Sequence, residues 1–122
     1  MAGTIVADDI QHSTAGSVGT EYVVNGSVKV WVHYDTTPST VVRDSFNVAS
    51  TTDVSAGYLR PNFSSSMANT GYAPHVTGQI NYVGFINENY QTTSSTGTTV
   101  SYVNWSAADQ NHHSVSLVGD LA

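Results

Sequence analysis

The chain lacks cysteine altogether and has very few positively charged residues. Without cysteine it can form neither a disulfide bond nor a cysteine-ligated zinc site. Lys29, Arg43 and Arg60 are its only cations, set against nine acidic residues, so the formal net charge is −6. Surfaces that bind nucleic acid or anionic lipid need clustered Lys and Arg side chains. This composition therefore argues against both nucleic acid and membranes as partners.

Long hydrophobic runs are also missing. No stretch approaches the roughly 18 consecutive apolar residues that a membrane-spanning helix requires. Met1–Thr4 lacks the basic region that begins a secretory signal, and Asp8 and Asp9 interrupt the apolar residues that follow. We therefore expect a protein that remains where it is made or travels as part of a larger structure.

Leucine is scarce, whereas valine, serine and threonine are abundant. The 122 residues include 17 Val and 4 Ile but only 3 Leu, together with 16 Ser, 15 Thr and 9 Asn. Branched side chains favour pleated strands, and a helical bundle needs more Leu, Ala, Glu and Lys. Because the length is that of one domain, the composition predicts a single all-β domain.

Alternation of apolar and polar residues locates two strands clearly. In Val28–Asp35 the valines recur at every second position, which is the period of a strand. Trp31 lies on the face opposite the valines, so we expect a second sheet or a neighbouring chain to cover each side of this strand. His113–Val118 alternates in the same way.

Between these two segments the pattern predicts shorter strands separated by turn residues. The expected strands are 41–49, Tyr58–Phe63, a strand-rich stretch Tyr72–Ile86 and Val100–Trp105, with turns at Thr36–Ser39 and Thr52–Gly57. Pro61 cannot donate a hydrogen bond to a neighbouring strand, so its segment is expected to be an edge strand or a broken one. About six to eight short strands at regular spacing indicate an antiparallel β-sandwich or barrel.

The first 27 residues differ from the rest. Residues 11–20 are small and polar, and they can bury little surface of their own. We therefore divide the chain into an extended N-terminal arm, residues 1–27, for docking or oligomerisation, and a β-sandwich knob, residues 28–122. Four aromatic residues of the strands are expected in the core of the knob: Trp31, Phe46, Phe63 and Tyr82.

The sequence contains none of the common catalytic motifs. It has no G-x-S-x-G nucleophile motif, no phosphate-binding P-loop and no G-x-G-x-x-G dinucleotide motif. We therefore predict a protein that is not an enzyme and uses no cofactor. None of the five histidines is spaced as H-E-x-x-H or H-x-H, so a metal site would need one imidazole from each of three chains on a threefold axis. We expect surface or hydrogen-bonded histidines and no metal.

Recognition residues are expected in loops that a rigid scaffold holds in place. The two long polar connections after the first core strands are Asn87–Thr99 and Ala107–His113. Within them, four side chains are predicted to face a ligand through stacking or hydrogen bonding: Tyr90, Asn111, His112 and His113.

A longer succession of sequence motifs resembles that of a known protein family. Trp31-Val32-His33-Tyr34-Asp35 is followed by Val41-Val42-Arg43-Asp44-Ser45-Phe46-Asn47-Val48-Ala49-Ser50, and then by Thr52-Asp53, Gly57-Tyr58 and Asn62-Phe63. This succession resembles a small β-rich domain of tail-fibre-like virion proteins of tailed bacteriophages. The resemblance covers residues 28–75. It departs from the family pattern at Thr36–Ser39, where the family has a glycine-rich turn, and at Arg60-Pro61.

The resemblance implies a non-enzymatic component of the virion surface, a trimeric fibre, knob or decoration protein whose arm docks on other virion proteins. The alternative is a receptor-binding tail-fibre subunit that recognises a host glycan or surface protein. A glycan depolymerase is a third possibility, for which 122 residues are few. Within the knob, Arg43 is expected to form a structural ion pair with a turn carboxylate, Asp53.

Overall fold

Two four-stranded antiparallel sheets form the body of the protein in the computed structural model, which describes residues 3–122. The elements in chain order are β1 (Asp9–His12), β2 (Gly16–Gly19), α1 (Thr20–Gly26), β3 (Val28–Asp35), β4 (Val41–Phe46), β5 (Val48–Ser55), β6 (Tyr58–Phe63), β7 (Ala73–Thr77), β8 (Tyr82–Asn87), a 3-10 helix (Glu88–Tyr90), β9 (Gly97–Tyr102) and β10 (His113–Val118). Strands account for 52% of the residues and helices for 8%, which confirms the predicted all-β class. Among the described residues, no helix is long and apolar enough to cross a membrane.

The two sheets pack face to face as a sandwich. Sheet I has the strand order β4-β3-β10-β7, and sheet II has the order β5-β6-β9-β8. The chain passes from one sheet to the other at both sides of the sandwich, at Asn47 between β4 and β5 and at residues 78–81 between β7 and β8. The buried apolar side chains lie between the sheets or on the connection after β6: Val30, Val32, Tyr34, Leu59, Phe63, Met67, Tyr72, Val100, Val115 and Leu117.

The two strands with the clearest alternation form the centre of sheet I. β3 and β10 have the predicted bounds and pair with each other, with Val32 opposite Val115 and Val30 opposite Leu117. These four side chains point inward and are at most 2% exposed. Removing them from water supplies much of the driving force for folding, at about 1.5–3 kcal/mol for each fully buried side chain.

The prediction of one strand over 41–49 is wrong. The chain turns at Asn47, whose φ of 57° lies in the left-handed region, and the residues on either side enter different sheets. The turn predicted at Thr52–Gly57 is also too long, because β5 continues to Ser55. Only Ala56 and Gly57 form the turn to β6.

β6 contains Pro61 and is an interior strand, so the edge-strand alternative of its prediction is wrong and the broken-strand alternative holds. It pairs with β5 along its whole length, whereas its ladder with β9 stops after Tyr58 and Leu59. The pairing on that side is only interrupted at Pro61, whose carbonyl still accepts from the N–H of Thr96, and it resumes where Asn62 bridges Ser95. This position tolerates a residue without an N–H donor.

Two of the four aromatic residues predicted in the core are exposed. Phe63 is buried and Tyr82 is partly buried, but Trp31 is 37% exposed and Phe46 is 54% exposed. Trp31 lies out of phase with the buried valines of β3, so it faces away from sheet II. Phe46 is its partner in register on β4. The outer face of sheet I therefore carries two neighbouring aromatic side chains.

The predicted extended arm contains regular structure. β1 and β2 form an antiparallel hairpin, and α1 follows directly. None of residues 3–26 is buried, so this segment adds nothing to the core of the sandwich. Met1 and Ala2, the first residues of the predicted arm, lie outside the described residues.

Candidate functional site

The predicted ligand-facing residues do not form one surface. Tyr90, in the 3-10 helix, packs edge-on against the ring of Tyr58, with 5.8 Å between the ring centroids. The guanidinium carbon of Arg60 lies 5.4 Å from the centroid of the Tyr90 ring. Tyr58 and Arg60 alternate with the buried Leu59 along β6. Tyr90 therefore lies on the outer face of sheet II.

His112 lies at sheet I instead. Its ring stacks on that of His33 in β3, with centroids 5.2 Å apart and ring planes 18° apart. His33 alternates with the inward-facing Val32 and Tyr34, so it belongs to the outer face of its sheet. Two of the predicted positions, Tyr90 and His112, thus face away from each other across the sandwich.

His113 is fully buried, which corrects its prediction as a ligand-facing residue. Its Nε2 atom lies 3.3 Å from the hydroxyl of Thr98, and that hydroxyl donates to the carbonyl of Leu59. The hydroxyl has one proton, which it gives to Leu59, so Nε2 is the donor toward Thr98. The imidazole is neutral near pH 7 because burial disfavours its charged form. Burial lowers the pKa of His113 to about 4. The edge-on neighbour Tyr34 is neutral too, because burial raises its pKa to about 12.

The His33–His112 pair belongs to a polar cluster at the end of β3. Nε2 of His33 and Nδ1 of His112 are 3.1 Å apart, and one ring must accept while the other donates. Desolvation lowers the pKa of His33, and the neighbouring His112 and Arg43 lower it further, while Asp35 acts in the opposite sense. At least one ring is therefore neutral when the hydrogen bond is formed.

The predicted ion pair of Arg43 has a different partner. Arg43 Nη2 donates to Asp35 Oδ2 at 2.6 Å, whereas Asp53 accepts a hydrogen bond from the hydroxyl of Thr40. The backbone N–H of Thr37 and the guanidinium of Arg43 hold the pKa of Asp35 below its usual range. The bulge between His33 and Tyr34 shifts the pairing of β3 and β4, and Asp35 becomes the nearer carboxylate.

The last predicted residue, Asn111, joins the same cluster. Its amide oxygen contacts the hydroxyl of Thr37, which also donates to Asp35. The cluster therefore ties the loop before β10 to the end of β3 through hydrogen bonds. Across residues 3–122, no group of three or more histidine or acidic side chains is close enough to hold a metal ion. This arrangement is that of a structural network.

A groove along edge strand β8 has the character of a binding site. Its volume is about 770 Å³, which lies within the range of small-molecule pockets, about 300–1,000 Å³. It is lined by residues of β8 and β9, the 3-10 helix and the turn after β9, together with Pro74 of β7: Pro74, Phe85, Ile86, Asn87, Glu88, Asn89, Gln91, Thr99, Ser101, Trp105 and Ala107.

An exposed tryptophan and a half-buried phenylalanine form one wall of this groove. Trp105 is 75% exposed and stacks against Phe85, with ring centroids 5.3 Å apart and planes 38° apart. The φ of Trp105 is 71°, a left-handed conformation that is rare for a bulky residue. The tight turn from Tyr102 to Ser106 imposes it, because the Trp105 N–H donates to the carbonyl of Tyr102. The turn thereby presents the indole to solvent.

The polar side of the groove has groups without partners in the protein. Ser101 is 4% exposed, and its buried hydroxyl has no hydrogen-bond partner among the described residues. The amide of Gln91, in contrast, is already bonded to the carbonyls of Thr70 and Tyr72. Glu88 is the only charged residue in the described lining. The groove thus combines an aromatic wall, an unused buried hydroxyl and one carboxylate.

Sequence reasoning located this groove only in part. Asn87 and Ala107 begin the two loops that were predicted to face a ligand, and both line the groove. The aromatic wall was missed, because Trp105 was assigned to the end of a strand and Phe85 to a strand-rich stretch. The polar neighbours of the tryptophan, in Asn104-Trp105-Ser106, were the signal for an exposed indole.

Fold and groove together define a small antiparallel β-sandwich with an aromatic-lined surface groove and an N-terminal segment outside its core. Comparisons of this chain with protein-family models, with curated proteins and with solved structures found no match.

Proposed function

We propose that the protein is a non-enzymatic, oligomeric component of the surface of a tailed-phage particle. Its β-sandwich is the outward knob, and residues 3–26, the docking segment, attach it to other virion proteins. The resemblance of residues 28–75 to tail-fibre-like virion domains supports this assignment. The all-β fold supports it as well, because Ser, Thr and Asn on antiparallel strands provide a polar surface without many charges.

The exposed apolar surface of the docking segment is the structural observation that supports the proposal most strongly. Seven large apolar side chains of this segment are between 41% and 93% exposed: Ile5, Val6, Ile10, Val18, Tyr22, Val23 and Val24. Monomeric proteins rarely leave contiguous apolar side chains in water unless a partner covers them. A partner that buries several of them gains about 25 cal/mol for each Å² removed from water.

The local structure of the docking segment also points to a partner. An isolated two-stranded hairpin is marginally stable in water, and so is a helix of α1's length, seven residues. The N-terminus of α1 has no side-chain cap, and such caps are worth about 1 kcal/mol. Contact with a second protein would supply the stability that the segment lacks alone.

The charges of the docking segment restrict the partner. Asp8, Asp9 and Glu21 are its only charged residues. A neutral or basic apolar surface on another virion protein therefore fits the segment better than an acidic one.

The test replaces Tyr22 and Val24 with Ser together and measures incorporation into purified particles. We expect the variant to fold with an unchanged melting temperature, since neither side chain is buried, and to fall at least tenfold in copy number per particle. The matched control replaces Val54 and Val83 with Ser together. Both side chains are exposed on the sandwich, so this variant should be incorporated like the parent.

Incorporation of the Tyr22/Val24 variant at the parent level would contradict the proposal, as would an equal loss in the control. For the parent protein, the copy number and position in a density map of the particle distinguish a capsid decoration protein from a tail fibre.

A further inference from the structure

We propose that the groove along β8 binds a short neutral oligosaccharide, with Trp105 as the platform on which a sugar ring stacks. This inference concerns the sandwich alone and does not depend on how the chain attaches to a particle. It follows from the aromatic wall, the unused polar groups and the charge of the groove.

The aromatic wall suits the apolar face of a sugar ring. Trp105 presents a broad aromatic face that contacts Phe85, and stacking on an indole loses little side-chain entropy because Trp has two side-chain torsions. The left-handed backbone at Trp105 costs about 1–3 kcal/mol, and such strain collects at functional sites. Packing in the core does not offset that cost, because the side chain is 75% exposed. Contact between the indole and a ligand would offset it.

The polar groups match the hydroxyl groups of a sugar. A buried hydroxyl without a hydrogen bond lowers the stability of a folded protein by about 1–3 kcal/mol. The hydroxyl of Ser101 is such a group, and a ligand that bonds it would remove this cost. Because less than 1 Å² of its oxygen is accessible in the free protein, a ligand hydroxyl reaches it after a small shift of the neighbouring lining side chains, and can then donate to it and accept from it. Asn87 and Asn89 add amide groups to the same lining, and no side-chain hydrogen bond occupies either amide within residues 3–122.

The charge of the groove favours a neutral ligand. Glu88 is the only charged group in the described lining, and the whole chain has a net charge of −6. Uronic acids, sialic acids and nucleic acids would meet repulsion there with no Lys or Arg to pair with them. The carboxylate of Glu88 can instead accept hydrogen bonds from two sugar hydroxyls.

A peptide is the other class of ligand that an edge strand can take. β8 ends sheet II, and an extended peptide could add to such an edge through backbone hydrogen bonds. That mode would not use the indole of Trp105 or the hydroxyl of Ser101, because both belong to side chains outside the β8 edge. The observations therefore favour the oligosaccharide, and peptide binding is an outcome of the test.

The experiment follows Trp105 fluorescence in the full-length Trp31→Phe protein, so that one indole reports. The probes are neutral hexasaccharides of glucose, galactose, mannose, rhamnose and N-acetylglucosamine, with hexagalacturonate as the anionic counterpart and an unstructured Ser/Thr-rich peptide for edge binding. We expect at least one neutral probe to bind saturably and shift the emission to shorter wavelength, while hexagalacturonate and the peptide leave it unchanged.

Calorimetry with the probe that binds then compares three variants. Trp105→Ala should weaken binding at least tenfold. Ser101→Ala should weaken it several-fold with no loss of melting temperature, because that hydroxyl bonds nothing in the free protein. Val103→Ala, in the same exposed turn but outside the groove, is the matched control and should bind like the parent.

The inference is overturned if no neutral probe binds, if hexagalacturonate or the peptide binds more tightly than every neutral probe, or if Trp105→Ala binds like the parent. A loss of binding in Val103→Ala equal to that in Trp105→Ala would overturn it too, because the turn as a whole would then be responsible.

Discussion

At the scale of single residues, the buried imidazole of His113 makes folding sensitive to acid. Its pKa falls from 6.5 in the unfolded chain to about 4 in the folded protein, because burial disfavours the charged ring. Between these values the unfolded chain binds a proton at this residue and the folded protein does not. The free energy of unfolding therefore decreases as the pH falls from 6.5 toward 4, by up to about 3 kcal/mol from this group.

The first prediction concerns the variant His113→Gln, which keeps a donor toward Thr98 and removes the titration. Urea unfolding at pH 7 and at pH 4 should show that the parent loses about 3 kcal/mol more than this variant over the interval. His75→Gln is the matched control, since His75 is exposed on β7, and it should lose as much as the parent. An equal loss in the parent and His113→Gln would refute the assignment of the acid sensitivity to His113.

At the scale of strands, Asn47 determines where the chain leaves one sheet for the other. Its side-chain amide donates to the carbonyls of Lys29 and Ser65, and its oxygen accepts from the N–H of Ser65. Its positive φ is one that Asn adopts more readily than other residues with a Cβ. Three hydrogen bonds and one backbone conformation therefore hold the corner between β4 and β5.

The second prediction separates these two contributions. Asn47→Gly keeps the backbone conformation and loses the three side-chain bonds, at a cost of about 2–3 kcal/mol. Asn47→Ala loses the bonds and also strains the backbone, so it should be less stable than the glycine variant by about 1 kcal/mol. In ordinary strand positions the order of Gly and Ala is the opposite.

Thermal or urea unfolding measures both differences. Asn81, with a φ of 70°, is the control: its glycine variant should be close to the parent, because no side-chain hydrogen bond of Asn81 occurs within residues 3–122. A glycine variant at position 47 that is no more stable than the alanine variant would disprove the backbone part of this account.

The same corner explains how far the fold could be predicted from the sequence. β3 and β10 were predicted with their full bounds, because each has one buried face and a strict period of two. The segment 41–49 was predicted as one strand, because a single asparagine between Phe46 and Val48 leaves the alternation uninterrupted. Its bonds to Lys29 and Ser65 are distant in sequence, and a local pattern contains no information about them.

Less of the candidate site could be predicted from the sequence, because the exposure of its side chains also depends on contacts that a local pattern does not contain. Their position in loops predicted Asn87 and Ala107 near a ligand. The exposure of Trp105, in contrast, depends on a turn in which the tryptophan itself has a positive φ, and such a turn is not expected at an aromatic residue. His113 was misplaced because it begins β10 in the inward register, opposite Tyr34 of β3. Which face a strand residue takes depends on its partner strand, and the partner was not known from the sequence.

At the scale of the whole molecule, the outer face of sheet I is the surface that a neighbouring copy would cover. Trp31 and Phe46 lie side by side there, both more than one third exposed. The small side chains of Ser114 and Ser116 on β10 leave a depression of about 220 Å³ beside Trp31. An aromatic side chain next to a depression is the arrangement that interface hot spots have. This face is therefore where we expect copies of the chain to associate, and the trimer itself stays a prediction.

The last prediction tests that association in solution. Light scattering after size-exclusion chromatography should give the mass of a trimer for the parent, and Trp31→Ser combined with Phe46→Ser should give the mass of a monomer, 12.9 kDa. At a protein concentration low enough to dissociate the parent, the double variant should keep much of the parent's unfolding free energy, because Phe46 is 54% and Trp31 is 37% exposed within one chain. Trp105→Ser removes an even more exposed indole from sheet II and should leave the trimer intact.

A monomeric parent at micromolar concentration would exclude an interface strong enough to form outside a particle. An unchanged mass in the double variant would place the interface elsewhere, and the apolar side chains of the docking segment would be the surface to replace next.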